Sequence, residues 1–132
     1  MAAPAAGATP FAMLGGDAGV RALVERFYDL MDLDGAYADL RAVHAADLRH
    51  AREKLYLFLS GWLGGPQLYV ERFGHPRLRA RHLPFPIGER ERDQWLACMA
   101  QALDDVACPA GLKPRLMQAF FQTADWMRNR EG

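Results

Sequence analysis

The sequence predicts an all-α protein. Apolar residues recur at helical spacing along most of the chain, as between residues 20 and 31, and no segment alternates apolar and polar residues as a strand does. Glycine and proline residues separate these periodic segments. We expect about four main helices joined by short irregular segments.

Length and composition bound the class of protein. The chain has 132 residues, of which 51% are hydrophobic and 24% charged, as in an ordinary globular domain. Sixteen basic residues balance 16 acidic ones, which argues against a nucleic-acid partner. No stretch approaches the ~18 apolar residues of a membrane span, which argues against a membrane protein.

The start of the chain predicts an arm rather than a targeting signal. It has no basic segment, and Pro4 and Pro10 interrupt it, so a signal peptide is not expected. We predict a flexible N-terminal arm over residues 1–10, a single domain over residues 11–132 and a cytoplasmic location. Cys98 and Cys108 are too few for a disulfide framework and are expected to be reduced thiols.

Helix boundaries in the first half follow from capping and turn residues. A helix is predicted to begin with Asp17 as its N-cap and to end at Asp34. A shorter helix is expected from Ala36 to about Val43. Asp47 is the expected N-cap of the next helix, which stops at the Gly-Gly-Pro sequence that begins at residue 64.

The second half contains two short segments and two long helices. One or two helical turns are expected over residues 67–73, and a short helix that ends near His82 is expected after Pro76. Pro84 and Pro86 then forbid regular helix. Long helices are predicted from about Glu89 to Val106 and from about Leu112 to Arg128, with a turn between them.

Among the residue types in this sequence, histidine is the strongest candidate for a functional role. None of His44, His50, His75 and His82 has the spacing of a helical zinc motif, and neither a phosphate loop nor a nucleophile motif is apparent. His82 lies in a short segment bounded by prolines. On pattern alone, it is a capping or core histidine bonded to a backbone carbonyl.

A longer sequence resemblance changes the interpretation of His82. The segments LGGPQLYVERFGHPRLRARHLPFPIG, residues 63–88, and ERDQWLACM, residues 91–99, resemble the truncated haemoglobins of group II. The resemblance covers residues 14–130 and implies a globin-like 2-on-2 helical sandwich with a shortened proximal helix. It also implies that His82 binds the iron of haem b and leaves one coordination position open. The other ring nitrogen is then expected to donate to a backbone carbonyl.

The resemblance also assigns the distal side of the haem. Tyr28, Trp95 and His44 match positions that donate hydrogen bonds to a bound gas. Tyr28 and Trp95 also fit as core aromatics, and His44 fits as a loop histidine that faces water. Whether His44 contacts the gas or coordinates the iron is left open. Ala51 and Leu55 are the expected apolar residues that face the iron.

Further residues match positions around the cofactor. Arg81 is a candidate partner of a haem propionate or a solvated surface arginine, and Arg79 and Tyr69 are alternatives for the same role. A group of apolar residues fits either haem contacts or core: Phe27, Phe58, Leu78, Phe85, Ile87 and Met99.

Three functions follow from the resemblance. The first is a protein that binds diatomic gases (O₂, CO or NO) at a pentacoordinate iron and releases them slowly, which makes it a poor carrier. The second is an NO dioxygenase or peroxidase-like enzyme, which would need a separate reductase. The third is a helical sensor or scaffold that has lost haem, against which His82, Tyr28 and Trp95 argue. A monomer and a homodimer are both open.

Overall fold

The computed structural model describes residues 8–130, which form helices and no strand. The prediction of an all-α fold is therefore confirmed. None of the described helices is both long and apolar enough to cross a membrane. The α-helices are α1 (Pro10–Met13), α2 (Gly16–Leu33), α3 (Ala38–Ala42), α4 (Arg49–Trp62), α5 (Leu68–Phe73), α6 (Leu78–His82), α7 (Glu89–Asp105) and α8 (Leu112–Trp126), with a 3₁₀-helix (Gly35–Tyr37) between α2 and α3.

The four long helices build the core in two layers. Helix α2 packs against α4 and α7, and α7 packs against α8. Trp62 of α4 stacks on Phe120 of α8, with ring centroids 4.6 Å apart. The apolar stripes predicted from periodicity in α2, α7 and α8 meet inside this arrangement. Their fully or almost fully buried members include Val20, Leu23, Val24, Phe27, Met99, Leu103, Leu116 and Phe120.

The end of α4 lies where its glycines predict. Gly64 has a φ of +98°, a left-handed conformation that glycine adopts without strain. A side chain at Gly65 would meet the ring of Phe11, since an added Cβ would lie 2.5 Å from it. The two glycines therefore stop the helix and let the start of the chain approach it.

Asp17 is not the N-cap of α2, and that prediction is wrong. Gly15 occupies the cap position, and Asp17 lies in the first turn of the helix. Its carboxylate instead accepts a hydrogen bond from the Tyr56 hydroxyl of α4 and pairs with Arg21 at 3.4 Å. A partner on a distant helix has replaced the local one.

Asp47 stands one residue before the cap position of α4, which is occupied by Leu48. Its carboxylate still accepts a hydrogen bond from the backbone N–H of Arg49 at 2.9 Å. Hydrogen bonds from Arg49 lower the pKa of Asp47 to about 2, so it is ionised at neutral pH. Asp47 therefore supplies a negative charge at the helix N-terminus.

The flexible N-terminal arm was predicted over residues 1–10, and residues 1–7 lie outside the described residues. Pro10 begins α1, and the Thr9 hydroxyl accepts a hydrogen bond from the Ala12 N–H at 3.1 Å. The Phe11 N–H donates to the Leu63 carbonyl at 2.8 Å, which ties α1 to the end of α4.

Helix α8 ends at Trp126, two residues before the predicted boundary. The chain leaves the helix there because the backbone N–H groups of Asn129 and Arg130 donate to the carbonyl of Ile87, at 2.8 and 3.0 Å. The end of α8 is thereby connected to the segment that follows His82.

The two thiols should differ in reactivity. Cys98 is fully buried, its thiol lies 3.2 Å from the Phe27 carbonyl, and burial raises its pKa to about 12. Cys108 is only partly buried.

We expect a disulfide reagent at pH 8 to modify one thiol in the native protein and two in denaturant. Cys108→Ser should abolish the native reaction. Two equally reactive native thiols would contradict the structure.

Candidate functional site

An open cavity of about 670 Å³ separates α4 from α6. Phe58 and Trp62 line it from α4, Leu78 lines it from α6, and Met127 lines it beyond the end of α8. Most of this lining is apolar, as is usual for a cofactor site. His82, at the end of α6, is not among its lining residues, and neither are Tyr28, His44 and Trp95.

The His82 ring is oriented by its own helix. Its Nδ1 lies 2.6 Å from the carbonyl of Leu78, one turn earlier. A carbonyl oxygen only accepts hydrogen bonds, so Nδ1 carries the proton and Nε2 of the neutral ring has a free lone pair. No group in residues 8–130 hydrogen-bonds Nε2. This tautomer, oriented by a backbone carbonyl, is the one that metal-binding histidines commonly adopt.

The three candidate distal residues are close to one another. The Tyr28 ring lies edge-on to His44, with centroids 5.9 Å apart, and edge-on to Phe27 at 5.0 Å. Phe27 also contacts Trp95, with centroids 5.2 Å apart. The residues from α2, α7 and the segment after α3 therefore form one continuous aromatic cluster.

Two polar atoms of this cluster have no partner. The Tyr28 hydroxyl and the Trp95 indole N–H make no hydrogen bond within residues 8–130. They are not sealed inside the protein, because the described residues contain no fully enclosed polar side-chain atom that lacks a partner. Buried Tyr and Trp usually satisfy their polar ends, so these atoms suit a bound ligand.

Tyr28 is a hydrogen-bond donor at neutral pH. Only 5% of the residue is exposed, and burial raises the pKa of its phenol well above the ordinary value. The positive charge of Arg52 opposes this shift without cancelling it. The hydroxyl therefore keeps its proton.

His44 has the same tautomer as His82. Its Nδ1 lies 2.9 Å from the carbonyl of Leu40, so Nε2 is the free nitrogen. Burial lowers the pKa of His44, the hydrogen bond to Leu40 opposes the shift, and the positive charge of Arg41 adds to it.

Arg52 is a residue near the site that the sequence did not indicate. It joins α4 to α2 through ion pairs with Glu25 and with Asp29, the latter at 3.0 Å. Its guanidinium carbon lies 5.7 Å from the Tyr28 ring centroid. Opposite charges 23 residues apart were the only signal in the sequence, and many other pairs share it.

The apolar candidates fall into two groups. Phe27 and Met99 have no exposed surface and are packed as core side chains, so they have none to offer a ligand. The others keep exposed surface, as the lining of an open site does. They are Ala51, Leu55 and Phe58 on one face of α4, Leu78 on α6, and Phe85 and Ile87 in the segment after it.

The polar residues predicted as partners of a haem propionate lie in two different places. Arg81 lies with its guanidinium carbon 5.9 Å from the centroid of the buried Tyr69 ring. The Arg79 guanidinium lies over Trp126 at 5.4 Å and donates to the carbonyl of that residue at 3.4 Å, and both residues line the cavity between α4 and α6. The fold brings Arg81 and Tyr69 together and leaves Arg79 apart from them.

Comparisons with known proteins agree on one family. The sequence profile of bacterial-like globins matches residues 9–129. The group 2 truncated haemoglobin YjbI of Bacillus subtilis (strain 168) is 40% identical over 108 residues, which are 82% of this chain and 80% of that protein.

Solved structures show the same relationship. The group II 2-on-2 haemoglobin of the plant pathogen Agrobacterium tumefaciens superposes with a TM-score of 0.90 at 45% identity, over 95% of this chain and 96% of that one. A truncated oxygen-avid haemoglobin from Bacillus subtilis superposes with a TM-score of 0.83 at 36% identity, over 92% of this chain and all of that one.

The chain belongs to the bacterial-like globin family. Within it, the matched relatives are truncated haemoglobins of group II, and the 2-on-2 fold expected from the resemblance is confirmed. Membership of this family implies a haem cofactor and haem-based binding of diatomic gases. The free Nε2 of His82 and the unpartnered donors of Tyr28 and Trp95 fit such a cofactor with a bound gas.

Removing the Tyr28 hydroxyl should leave the haem-free protein as stable as before, because this group has no protein partner in the described residues. Tyr37→Phe is the matched control, since the Tyr37 hydroxyl donates to Gln101 at 2.7 Å. We expect the control to lose about 0.5–1.5 kcal/mol of unfolding free energy in urea titrations. An equal loss in Tyr28→Phe would show that the Tyr28 hydroxyl has a structural partner.

Proposed function

We propose that the protein binds haem b through His82 and retains a diatomic gas, O₂ above all, on the opposite side of a pentacoordinate iron. The observation that carries this proposal is the pair of unpartnered donors at Tyr28 and Trp95, which lie in one aromatic cluster and open to accessible space. Slow release of the gas is part of the proposal.

The chain's own residues orient the cofactor and the gas. Haem, when bound, supplies a ferrous iron that binds a gas and passes electron density to it. The Leu78 carbonyl holds the His82 ring so that Nε2 presents its lone pair to the iron. Tyr28 and Trp95 supply an O–H and an N–H for the gas, and the free Nε2 lone pair makes His44 a candidate second ligand when no gas is present.

Slow release follows from how these donors are placed. A gas that carries partial negative charge is stabilised by preorganised donors, and more strongly where water is scarce. Ala51 and Leu55 provide no polar group on the α4 side, so Tyr28 and Trp95 supply this stabilisation. His44 was also expected to donate, but its N–H bonds the Leu40 carbonyl. The structurally similar haemoglobin from Bacillus subtilis is described as oxygen-avid, which is consistent with the proposal.

The remaining proposed haem contacts are of two kinds, polar and apolar. Arg81 and Tyr69, which the fold brings together, are the proposed partners of a haem propionate. The exposed apolar surfaces on α4, α6 and the segment after α6 contact the porphyrin. These are supplied by Phe58, Leu78, Phe85 and Ile87.

We propose reversible gas binding rather than turnover. Nothing observed on residues 8–130 favours an NO dioxygenase or peroxidase-like enzyme, which would require a separate reductase. A cytoplasmic location, and a monomer or a homodimer, complete the proposal.

His82→Ala should abolish tight haem binding, because the change removes the only protein ligand proposed for the iron. The change in haem absorption on addition of haemin to the haem-free protein measures this. His50→Ala is the control, since His50 is exposed and its ring makes no hydrogen bond within the described segment. Unchanged haem affinity in His82→Ala would overturn the assignment.

Each distal donor should slow gas release. Hydrogen bonds to charged groups contribute about 1.5–3 kcal/mol, so we expect Tyr28→Phe and Trp95→Phe each to speed O₂ dissociation by about 10- to 100-fold. Stopped-flow displacement of O₂ by CO measures the rate. Wild-type dissociation as fast as in the double variant would refute slow release through these donors.

A further inference from the structure

The segment that carries His82 has little packing of its own. In the part of the chain that the structure describes, α6 makes no extensive contact with another helix. Leu83 and Phe85, which follow it, are 52% and 45% exposed. Segments with few buried contacts open easily, so this one needs another means of attachment.

Hydrogen bonds to the C-terminal segment, residues 126–130, supply that attachment. Within the described residues, every hydrogen bond that joins residues 78–87 to a distant part of the chain ends on this segment. One is the long contact of Arg79 with the Trp126 carbonyl at 3.4 Å. The others involve Asn129 and the backbone of Arg130.

Asn129 makes four of these bonds. Its amide Nδ2 donates to the carbonyls of His82, at 3.2 Å, and of Phe85, at 2.8 Å. Its Oδ1 accepts from the N–H of Ile87 at 3.0 Å, and its backbone N–H donates to the Ile87 carbonyl at 2.8 Å. Only a short amide supplies both donors and an acceptor at this reach, whereas a carboxylate has no donor.

The residues just before Asn129 are tied to the helix bundle. Asp125, in the last turn of α8, accepts hydrogen bonds from Arg92 of α7 at 2.7 Å and from Arg128 at 2.8 Å. These bonds lower the pKa of Asp125, so the pairs persist at neutral pH. A movement of the α7–α8 pair would therefore reach the residues around His82 through Asn129.

We propose that Asn129 is a positioning residue for the proximal histidine: its amide holds the backbone of residues 82–87 and thereby sets the orientation of His82 toward haem and the rate at which haem leaves. This role rests on the proposed function of His82. Groups that orient a metal ligand affect affinity even though they do not touch the metal, and the Asn129 amide bonds the carbonyl of His82 itself.

The test compares Asn129→Asp and Asn129→Ala with Gln118→Glu and Gln118→Ala. Gln118 is an exposed amide on α8 whose side chain makes no hydrogen bond in the described region, so these controls repeat both chemical changes. Transfer of haem to excess apomyoglobin measures haem loss. We expect both Asn129 variants to lose haem about 10- to 100-fold faster than wild type and the controls to match wild type.

Two further measurements separate positioning from general loosening. The iron–histidine stretching band in resonance Raman spectra of the ferrous protein should shift in both Asn129 variants. In the haem-free protein, the Ile87 amide should exchange with solvent about tenfold faster in Asn129→Ala, because its acceptor is lost. Circular dichroism should show unchanged helix content.

The outcomes distinguish this proposal from the proposed function. Unchanged haem loss and an unshifted band, with faster Ile87 exchange, would mean that Asn129 holds the loop but does not position His82. Unchanged exchange of the Ile87 amide in Asn129→Ala would show that Asn129 does not hold residues 82–87. If wild type takes up no haem, the proposed function fails and the haem role of Asn129 fails with it, while Ile87 exchange still judges the attachment independently.

Discussion

The hydrogen bond between Nδ1 of His82 and the carbonyl of Leu78 orients the candidate site. It requires one helical turn before the histidine, and α6 is little longer than that. Pro76 precedes the helix, and Pro84 and Pro86 prevent its continuation. Leu78, at the start of α6, supplies that carbonyl and also lines the cavity between α4 and α6.

The distal side is held by different means. Tyr28 and Trp95 project from α2 and α7, whose interface is sealed by side chains with no exposed surface, such as Phe27 and Met99. Their ring positions are therefore determined by dense packing rather than by hydrogen bonds. Packing leaves the Tyr28 hydroxyl and the Trp95 N–H without a protein partner. An unpaired polar group costs folding free energy, and a bound ligand that accepts its hydrogen bond removes that cost.

The two sides of the site thus depend on different parts of the scaffold. The distal rings belong to the packed α2–α4–α7 core, to which Arg52 adds ion pairs between α4 and α2. The histidine side is attached through residues 126–130, which extend from the end of α8. Such a division allows the histidine side to move while the distal donors stay in place, because few buried contacts connect the two.

Local rules made much of the fold predictable. Helical periodicity and the Gly and Pro residues gave the bounds of α4 to α7 to within a residue or two, because they act through backbone geometry within a few residues. The candidate ligands came from a long sequence resemblance, since no local pattern distinguishes His82 from a core histidine. Its carbonyl partner was expected, and Leu78 supplies it.

What the sequence by itself determined was therefore the helical class, the main helix bounds and the set of candidate residues. The tertiary structure decided their partners: Asp17 bonds Tyr56 instead of capping α2, Arg79 turns to Trp126, and Asn129 reaches the backbone around His82. Capping and helix breaking depend on neighbours in the chain. A long-range partner depends on which side chains the packed helices bring within about 3 Å, a distance that no sequence spacing encodes.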